Sequence, residues 1–251
     1  MTDLTLQQVS KNFGGVIAAQ DVTIKVAPGR ITGLIGPNGA GKSTLVNLIT
    51  GMLPLSSGTI RFGENDISTA RADEIARLGF ARTFQNIRLF KEATVLDNLL
   101  IGYHAAQENG VFANILGLPA ARAETRRIKG QSRELLARFG MTRYAEFPAG
   151  SLAYGHQRRV EMMRALASSP SVLLLDEPVA GMNDVEAGEL GEIFRELAAS
   201  GIAVLLIEHN IRFVTKLCDY IYVLDNGRII AEGHPDSVVS NPAVIAAYLG
   251  E

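Results

Sequence analysis

Eight consecutive residues have the types and spacing of a phosphate-binding loop. The pattern G-x-x-x-x-G-K-[ST] is fitted by Gly36, Pro37, Asn38, Gly39, Ala40, Gly41, Lys42 and Ser43, and Thr44 follows it directly. Glycines let successive backbone N–H groups turn toward an anion because no Cβ stands in the way. We expect Lys42 to reach the terminal phosphates and the Ser43 hydroxyl to bind Mg²⁺. The loop therefore predicts a nucleoside triphosphate, ATP, with Mg²⁺ as the ligand.

The residues on either side of the loop support this interpretation. Residues 31–35 form a short apolar run typical of a buried strand, and residues 45–49 continue as a helix that ends near Gly51. A glycine-rich turn that fits the pattern by chance is the alternative, and it requires neither neighbour. The order strand, loop, helix favours the phosphate site.

Two adjacent acids, Asp176 and Glu177, follow the apolar run 172–175 and precede Pro178. Acids at the carboxyl end of a strand in an α/β sheet face the ligand crevice. Asp176 is therefore expected in the Mg²⁺ shell, and Glu177 is expected to orient or deprotonate the attacking water. A solvated strand end is the alternative, and the phosphate loop disfavours it.

Composition limits the class of protein. A chain of 251 residues with 47% hydrophobic content can bury the core of one large α/β domain or of a core with a subdomain. The formal net charge of −2 disfavours a general nucleic-acid binder. Cys218 is the single cysteine and is expected in the core of a protein from a reducing compartment. No apolar run approaches a membrane span and no signal peptide is visible, so we expect a cytoplasmic location.

The pattern along the chain divides it into a core and an insertion. Short strands are expected at 4–9, 22–26, 30–35 and 58–63, a mostly helical region runs from 70 to about 167, and strands alternate with helices from 172 onward. This arrangement predicts a parallel sheet covered by helices. We expect one domain, with a nucleotide-binding core over 1–84 and 170–251 and a helical region over about 85–169. The basic run within 107–131 is expected to be a solvated helix face.

A further motif, at residues 152–156, indicates a protein family. Residues 152–156, Leu-Ala-Tyr-Gly-His, resemble the signature L-S-G-G-Q of the ATP-binding cassette ATPases of ABC transporters, and the resemblance covers essentially the whole chain. The other matching motifs, in the order of the family, are the adenine-stacking aromatic Phe13, the Q-loop Gln85, the D-loop 180–183 and the switch histidine His209.

The resemblance implies a fold and a set of roles. The fold is α/β, with a RecA-like P-loop core, an antiparallel β-subdomain and an inserted helical subdomain that carries the signature. Gln85 would join Ser43 and Asp176 at Mg²⁺, and His209 would join Glu177 and Gln85 in hydrolysis. Two cassettes would close head to tail, so that the nucleotide on one contacts residues of the other, namely Ala153, Tyr154, Gly155, His156 and Asn183. Taken alone, Phe13 would more often be a core residue, His209 a structural one and Gln85 a surface one.

Three residues depart from the family pattern. Ala153 stands in place of a serine, His156 in place of a glutamine and Asn183 in place of an aspartate. Loss of one hydroxyl contact costs about 0.5–1.5 kcal/mol, which slows turnover without abolishing it. We therefore expect an active ATPase, since the loop lysine, both acids and the switch histidine are retained.

The finer resemblance is to the LivG-type ATPases of branched-chain amino-acid importers. It rests on the L-A-Y-G signature, the A-G-M-N D-loop, the segment 107–129 and the ending 247–251. The expected partners are a second cassette, identical or different, a pair of integral membrane permease subunits that dock near residues 85–98 through Ile87, Leu89, Phe90 and Val95, and indirectly a periplasmic solute-binding protein. The expected place is the cytoplasmic face of the inner membrane.

Three alternatives remain open. Lipopolysaccharide-export ATPases share the ending but generally lack the inserted segment. A soluble ABC ATPase of DNA repair or translation would need coiled-coil arms or a duplicated cassette. A regulatory module with little turnover would need a damaged catalytic set, and only Ala153 and His156 point that way.

Overall fold

Two β-sheets organise the part of the chain that the computed structural model describes, residues 2–104 and 119–249. The strands are β1 (Leu4–Phe13), β2 (Val16–Val26), β3 (Ile31–Ile35), β4 (Ser57–Phe62), β5 (Asn65–Asp66), β6 (Phe80–Arg82), β7 (Val172–Asp176), β8 (Ala203–Ile207), β9 (Tyr220–Asp225) and β10 (Arg228–Gly233). The helices are α1 (Lys42–Ile49), α2 (Ala72–Arg77), α3 (Val95–His104), α4 (Pro119–Arg138), α5 (Tyr154–Leu166), α6 (Asp184–Ala199), α7 (Ile211–Leu217), α8 (Pro235–Val239) and α9 (Pro242–Leu249). Single 3₁₀ turns occupy Thr142–Tyr144 and Ala149–Ser151.

The larger sheet has six strands in the order β10-β9-β3-β8-β7-β6. Every pair in it is parallel except β9 with β10. Each residue of β3, β7 and β8 is buried, which explains why these strands are continuous apolar runs rather than alternating ones. The carboxyl ends of β3, β7 and β8 lie at one edge of the sheet, where the predicted site residues follow them.

The smaller sheet is antiparallel, with the order β2-β1-β4-β5. Its inward side chains share one apolar cluster with α1 and with one face of the larger sheet, including Leu6, Ile24, Leu45 and Leu205. The other face of the larger sheet packs under α6 and α7 and continues into the helices α3 to α5. This architecture confirms the predicted α/β fold with an antiparallel subdomain and a helical insertion, whereas the exact domain boundaries stay a prediction.

The helical region differs from the expectation in one element. Residues 80–82, expected within a mostly helical stretch, form strand β6 at the edge of the larger sheet beside β7. A three-residue edge strand is too short to show a period of two, so its existence depends on the neighbouring strand. Part of the predicted basic segment lies outside the described residues, but Arg126, Arg127 and Lys129 are exposed on α4, as a solvated helix face requires.

Cys218 directly follows α7 and lies in the core, as predicted. Burial raises the pKa of its thiol well above the ordinary value. Within residues 2–104 and 119–249, none of the helices combines the length and the apolar character needed to cross a bilayer.

Gly102 of α3 packs closely against α5, and Gly130 of α4 serves as its comparison. A Cβ at Gly102 would lie 2.5 Å from the Arg164 carbonyl oxygen and 2.9 Å from the Ala167 Cβ, whereas a Cβ at Gly130 on α4 would meet nothing within 4 Å. We expect Gly102→Ala to destabilise the protein by about 1–3 kcal/mol through overpacking. The same change at Gly130 should stabilise it by about 0.5–1 kcal/mol through helix propensity. Urea unfolding of both variants measures this, and equal midpoints would contradict the close packing.

Candidate nucleotide-binding site

The phosphate loop connects β3 to α1 and passes close to two other backbones. A Cβ at Gly36 would lie 1.9 Å from the Leu224 carbonyl oxygen, and a Cβ at Gly41 would lie 2.2 Å from that of Ala18. Both glycines have positive φ, 155° and 107°. Only glycine fits these two positions, so the loop's path is fixed by its neighbours. Asn38 and Gly39 in the loop and Ser43 at the start of α1 are exposed.

Helix α1 begins at Lys42, directly after Gly41, and no side chain caps its N-terminus. The first N–H groups of a helix have no partner within the helix, and together with the helix dipole they favour an anion. The end of the loop therefore offers backbone donors where the sequence predicts the phosphates.

Lys42 is buried inside the loop. Its Nζ donates to the carbonyl oxygens of Gly36 and Pro37 at 2.7 and 2.8 Å. Burial lowers the pKa of the ammonium, and the nearby carboxylates of Glu177 and Asp176 oppose that shift. The two acids at the end of β7 therefore lie within electrostatic reach of the lysine, as the sequence predicts.

Asp176 is buried at the end of β7 and pairs with Arg82 of β6. Its Oδ2 lies 3.0 Å from Arg82 Nη2, and the Thr83 hydroxyl accepts its backbone N–H. Arg82 Nη1 donates to Asn47 Oδ1 of α1 at 2.6 Å, so this arginine connects three elements of the site. A carboxylate has acceptor positions on both oxygens, so one guanidinium contact leaves room for a cation. Sequence reasoning missed Arg82 because it belongs to the short strand β6.

The Glu177 carboxylate contacts the other two predicted catalytic side chains. Gln85 Nε2 donates to its Oε2 at 3.4 Å, and His209 Nδ1 lies 3.6 Å from its Oε1. The residue has φ of 49°, which ends the strand alternation after Asp176. Its backbone N–H donates to the Ile207 carbonyl oxygen at 2.9 Å, fixing it against the end of β8. Two side chains far apart in sequence, those of Gln85 and His209, thus converge on the Glu177 carboxylate.

Glu208 holds the backbone on both sides of this arrangement, and none of the sequence-based predictions gives it a role. It is 1% exposed, and its carboxylate accepts the N–H groups of Val179 and His209 at 3.3 and 3.2 Å. Burial raises its pKa, and these N–H groups partly oppose the rise. Glu208 therefore ties the segment after Glu177 to the residue that carries the imidazole.

The signature residues lie at the N-terminus of α5, where Ala153 is the N-cap residue and no side chain caps the helix. Ala153 and Tyr154 are exposed, and a Cβ at Gly155 would approach nothing closer than 3.9 Å. His156 Nε2 lies 3.1 Å from Tyr144 Oη, and burial, followed by Arg159 and Arg143, lowers its pKa. Among the described residues, no hydrogen bond or ion pair joins 153–156 to the phosphate loop. The structure does not bring these two predicted parts together within one chain.

Two further predicted residues have clear surroundings. Phe13, at the end of β1, is 46% exposed and therefore is not a core residue. Asn183 is the N-cap of α6: its Oδ1 accepts the N–H groups of Val185 and Glu186, and Glu186 Oε2 accepts its own N–H. This capping box was readable as N-x-x-E, and the sequence argument overlooked it. The roles of Phe13 and Asn183 toward a nucleotide stay predictions.

Comparison with known proteins assigns the chain to a family. A family model described as ABC transporter matches residues 19–180, and one described as branched-chain amino acid ATP-binding cassette transporter matches residues 228–251. The high-affinity branched-chain amino acid transport ATP-binding protein LivG of Escherichia coli (strain K12) is 40% identical over 249 residues, covering 99% of this chain and 98% of that protein. BraF of Pseudomonas aeruginosa, whose description is otherwise the same, is 39% identical with the same coverage.

The chain belongs to the ATP-binding cassettes of ABC transporters, in the LivG and BraF branch. It is an ABC transporter ATPase. A solved structure of the ADP conformation of an ATP-binding cassette of an ABC transporter matches it with a TM-score of 0.86 and 36% identity, over 100% of both chains. The C-terminal match favours the branched-chain branch over the lipopolysaccharide-export alternative.

The burial of Glu208 has a consequence for stability as a function of pH. Because its pKa is raised in the folded state, the folded protein retains this proton at pH values where the unfolded chain has lost it. The carboxyl therefore contributes least to stability above its raised pKa. We compare the unfolding temperatures of Glu208→Gln and the parent. The value for the variant minus the value for the parent should increase as pH rises from 5 to 8. A difference that does not change with pH would contradict the raised pKa.

The position of Lys42 inside the phosphate loop leads to a prediction for ATP affinity. Lys42→Ala should weaken ATP binding at least about tenfold, because the variant loses the loop's side-chain cation against the charge of the terminal phosphates. Calorimetric titration with ATP measures this. Lys25→Ala is the control, since the exposed ammonium of Lys25 lies on β2 of the smaller sheet and pairs with Asp3 at 2.6 Å. Unchanged affinity in Lys42→Ala would remove the phosphate-site assignment.

Proposed function

We propose that this chain hydrolyses ATP with Mg²⁺ as one of two cassettes that power the import of branched-chain amino acids through a membrane permease. The observation that carries hydrolysis is the convergence of Gln85 and His209 on Glu177, beside the buried Lys42. The importer assignment is supported by the match of 228–251 and by relatives that carry branched-chain transport in their names.

The roles of the residues follow from their positions. The loop amides and Lys42 hold the phosphates, and the half-exposed ring of Phe13 stacks on the base. Glu177 accepts a proton from water, and Gln85 and His209 hold its two carboxylate oxygens on either side. Its separate contacts with these two side chains at 3.4 and 3.6 Å would keep the carboxylate oriented during the reaction.

The donor set near the loop fits Mg²⁺. The described residues contain no group of three or more His, Cys, Asp or Glu that could form a metal cage. Mg²⁺ bound with a nucleotide needs only one or two protein oxygens, because phosphates and water complete its shell. Asp176 and the Ser43 hydroxyl would supply them, with the Gln85 amide oxygen as a third donor. When bound, the ion neutralises charge on the transferring phosphate.

A second cassette follows from the separation of the signature from the phosphate loop. The N-terminus of α5 has no side-chain cap and would suit an anion, and in the described residues no hydrogen bond or ion pair joins it to the phosphate loop of the same chain. We assign its ligand as the terminal phosphate of ATP bound to the partner cassette. The backbone N–H groups at Tyr154 and Gly155 would make the contact, so the missing serine hydroxyl at 153 costs little.

The permease would dock in the groove between α2, β6, α3 and α5. This cavity of about 1100 Å³ is lined by Arg77, Phe90, Ile101, Gly102 and Arg164, among others. Phe90 and Ile101 are exposed apolar side chains there. The exposure of Phe90 supports docking in this region. Val95 does not, because it is fully buried and cannot contact a partner.

The catalytic assignment predicts that Glu177→Gln binds ATP at parent affinity but hydrolyses it at least about a hundredfold more slowly, since the amide cannot take a proton. With ATP and Mg²⁺ it should accumulate as a closed dimer, measured by size-exclusion chromatography with light scattering. In the source cells it should abolish uptake of labelled leucine and valine, while an unrelated importer continues to work. Hydrolysis at the parent rate would show that Glu177 is not the base.

The head-to-tail dimer predicts that Gly155→Asp keeps monomer ATP affinity and loses hydrolysis, because a carboxylate would repel the partner's phosphate. The open space around Gly155 means that the monomer itself accommodates a side chain. Gly155→Ala and Ala153→Ser are the matched controls, expected within about threefold of the parent rate. Normal hydrolysis by Gly155→Asp would refute the contact.

A further inference from the structure

Helix α5 carries a buried ion pair one turn beyond the signature. Arg158 Nη1 and Glu161 Oε2 are 3.1 Å apart, and the two side chains are 1% and 2% exposed. Arg158 Nε is buried without a hydrogen-bond partner. Removing two charges from water is costly, and an unpaired buried donor adds to that cost. Stability alone is therefore a poor reason for this pair.

The other hydrogen bonds of the pair that the structure describes go to one short backbone segment. Arg158 donates through Nη1 to the Phe84 carbonyl oxygen and through Nη2 to the Gln85 carbonyl oxygen. Glu161 Oε1 accepts the N–H groups of Phe84 and Arg88 at 3.4 and 3.3 Å. One side-chain pair thus holds four backbone groups around Gln85, whatever side chains that segment carries.

The attachment of this segment changes at Thr83. The Thr83 N–H donates to the Leu174 carbonyl oxygen of β7 at 3.0 Å, which is the last such bond to the sheet. From Phe84 to Phe90, the hydrogen bonds described for backbone N–H groups go to Glu161 on α5 and to Asn98 on α3. Gln85 therefore has its backbone held by the helical region and its side chain directed to Glu177 of the core.

The same guanidinium also approaches the signature. Arg158 Cζ lies 5.5 Å from the centroid of the Tyr154 ring, within the range of a cation–π contact. A displacement of the N-terminus of α5 therefore reaches the Gln85 backbone through one side chain.

We propose that Arg158 and Glu161 are positioning residues for hydrolysis, which set the location of Gln85 relative to Glu177 and couple it to the position of the signature helix. The pair acts through the backbone of the Gln85 segment. This inference rests on the proposed role of Glu177 and Gln85 in hydrolysis.

The test is a double-mutant cycle on kcat between Arg158→Met and Gln85→Ala in the full chain. Arg158→Met should lower kcat about tenfold or more, with the KM for ATP and the monomer ATP affinity unchanged within about twofold. If Arg158 acts through Gln85, the double variant should be no slower than the slower single variant. Independent effects, which multiply in the double variant, would overturn the proposal.

Two further variants separate positioning from general destabilisation. Arg138→Met removes another ion pair between the helical region and the core, Arg138 with Glu196 at 3.1 Å, and should leave kcat at the parent value. Arg158→Lys keeps the buried charge but not the two-carbonyl fork. Should Arg158→Met not fold, Arg158→Lys takes its place in the cycle, with the same expected loss of kcat and the same non-additivity. Parent kcat in Arg158→Lys would overturn the inference.

The outcomes are distinguishable from failure of the proposed function. If Glu177→Gln hydrolyses ATP at the parent rate, the base assignment fails whatever Arg158 does. If Glu177→Gln is inactive and the cycle is additive, hydrolysis at Glu177 stands and only the positioning role is lost.

Discussion

The close approach of three backbones around the phosphate loop is the constraint on which the rest of the structure depends. At Gly36 the loop passes the carbonyl oxygen of Leu224 in the larger sheet, and at Gly41 it passes that of Ala18 in the smaller one. The loop is therefore held between the two sheets rather than attached to one. This explains why an antiparallel sheet with no catalytic residue of its own belongs to the site. Its packing on α1 fixes where the first helical N–H groups stand.

Electrostatics connects this loop to the acids at the end of β7. Lys42 is buried, and burial alone would disfavour its charge, but Asp176 and Glu177 favour it. Asp176 is in turn paired with Arg82, while Glu177 meets a neutral amide and an imidazole. The adjacent carboxylates thus have different surroundings. Asp176 is buried and paired with an arginine, whereas Glu177 is partly exposed and contacts the side chains of Gln85 and His209.

The sequence predicts those parts of the site that belong to one contiguous segment. The phosphate loop, the acids after β7 and His209 after β8 follow buried strands whose apolar runs are readable without a structure. The strand β6 was not predictable, because three residues carry no period, and Arg82 was missed with it. The Arg158 and Glu161 pair was missed for another reason. Its partners are backbone atoms some seventy residues away, and backbone groups carry no sequence pattern. Asn183 is the opposite case. Its capping box with Glu186 is a local pattern that the sequence contains, but the residue was interpreted only as part of the D-loop.

The burial of Cys218 makes the molecule well suited to spectroscopic labelling. It is the single thiol of the chain, and its Sγ lies 3.0 Å from where a Cβ of Gly33 would stand in the central strand. A buried thiol with a raised pKa has little thiolate to react with maleimides or nitroxide reagents. Cysteines introduced on the exposed face of α4 and on the smaller sheet would therefore be labelled selectively in the native sequence background. Distances between such labels would report how the helical region moves relative to the core through a turnover cycle, with the natural cysteine left in place.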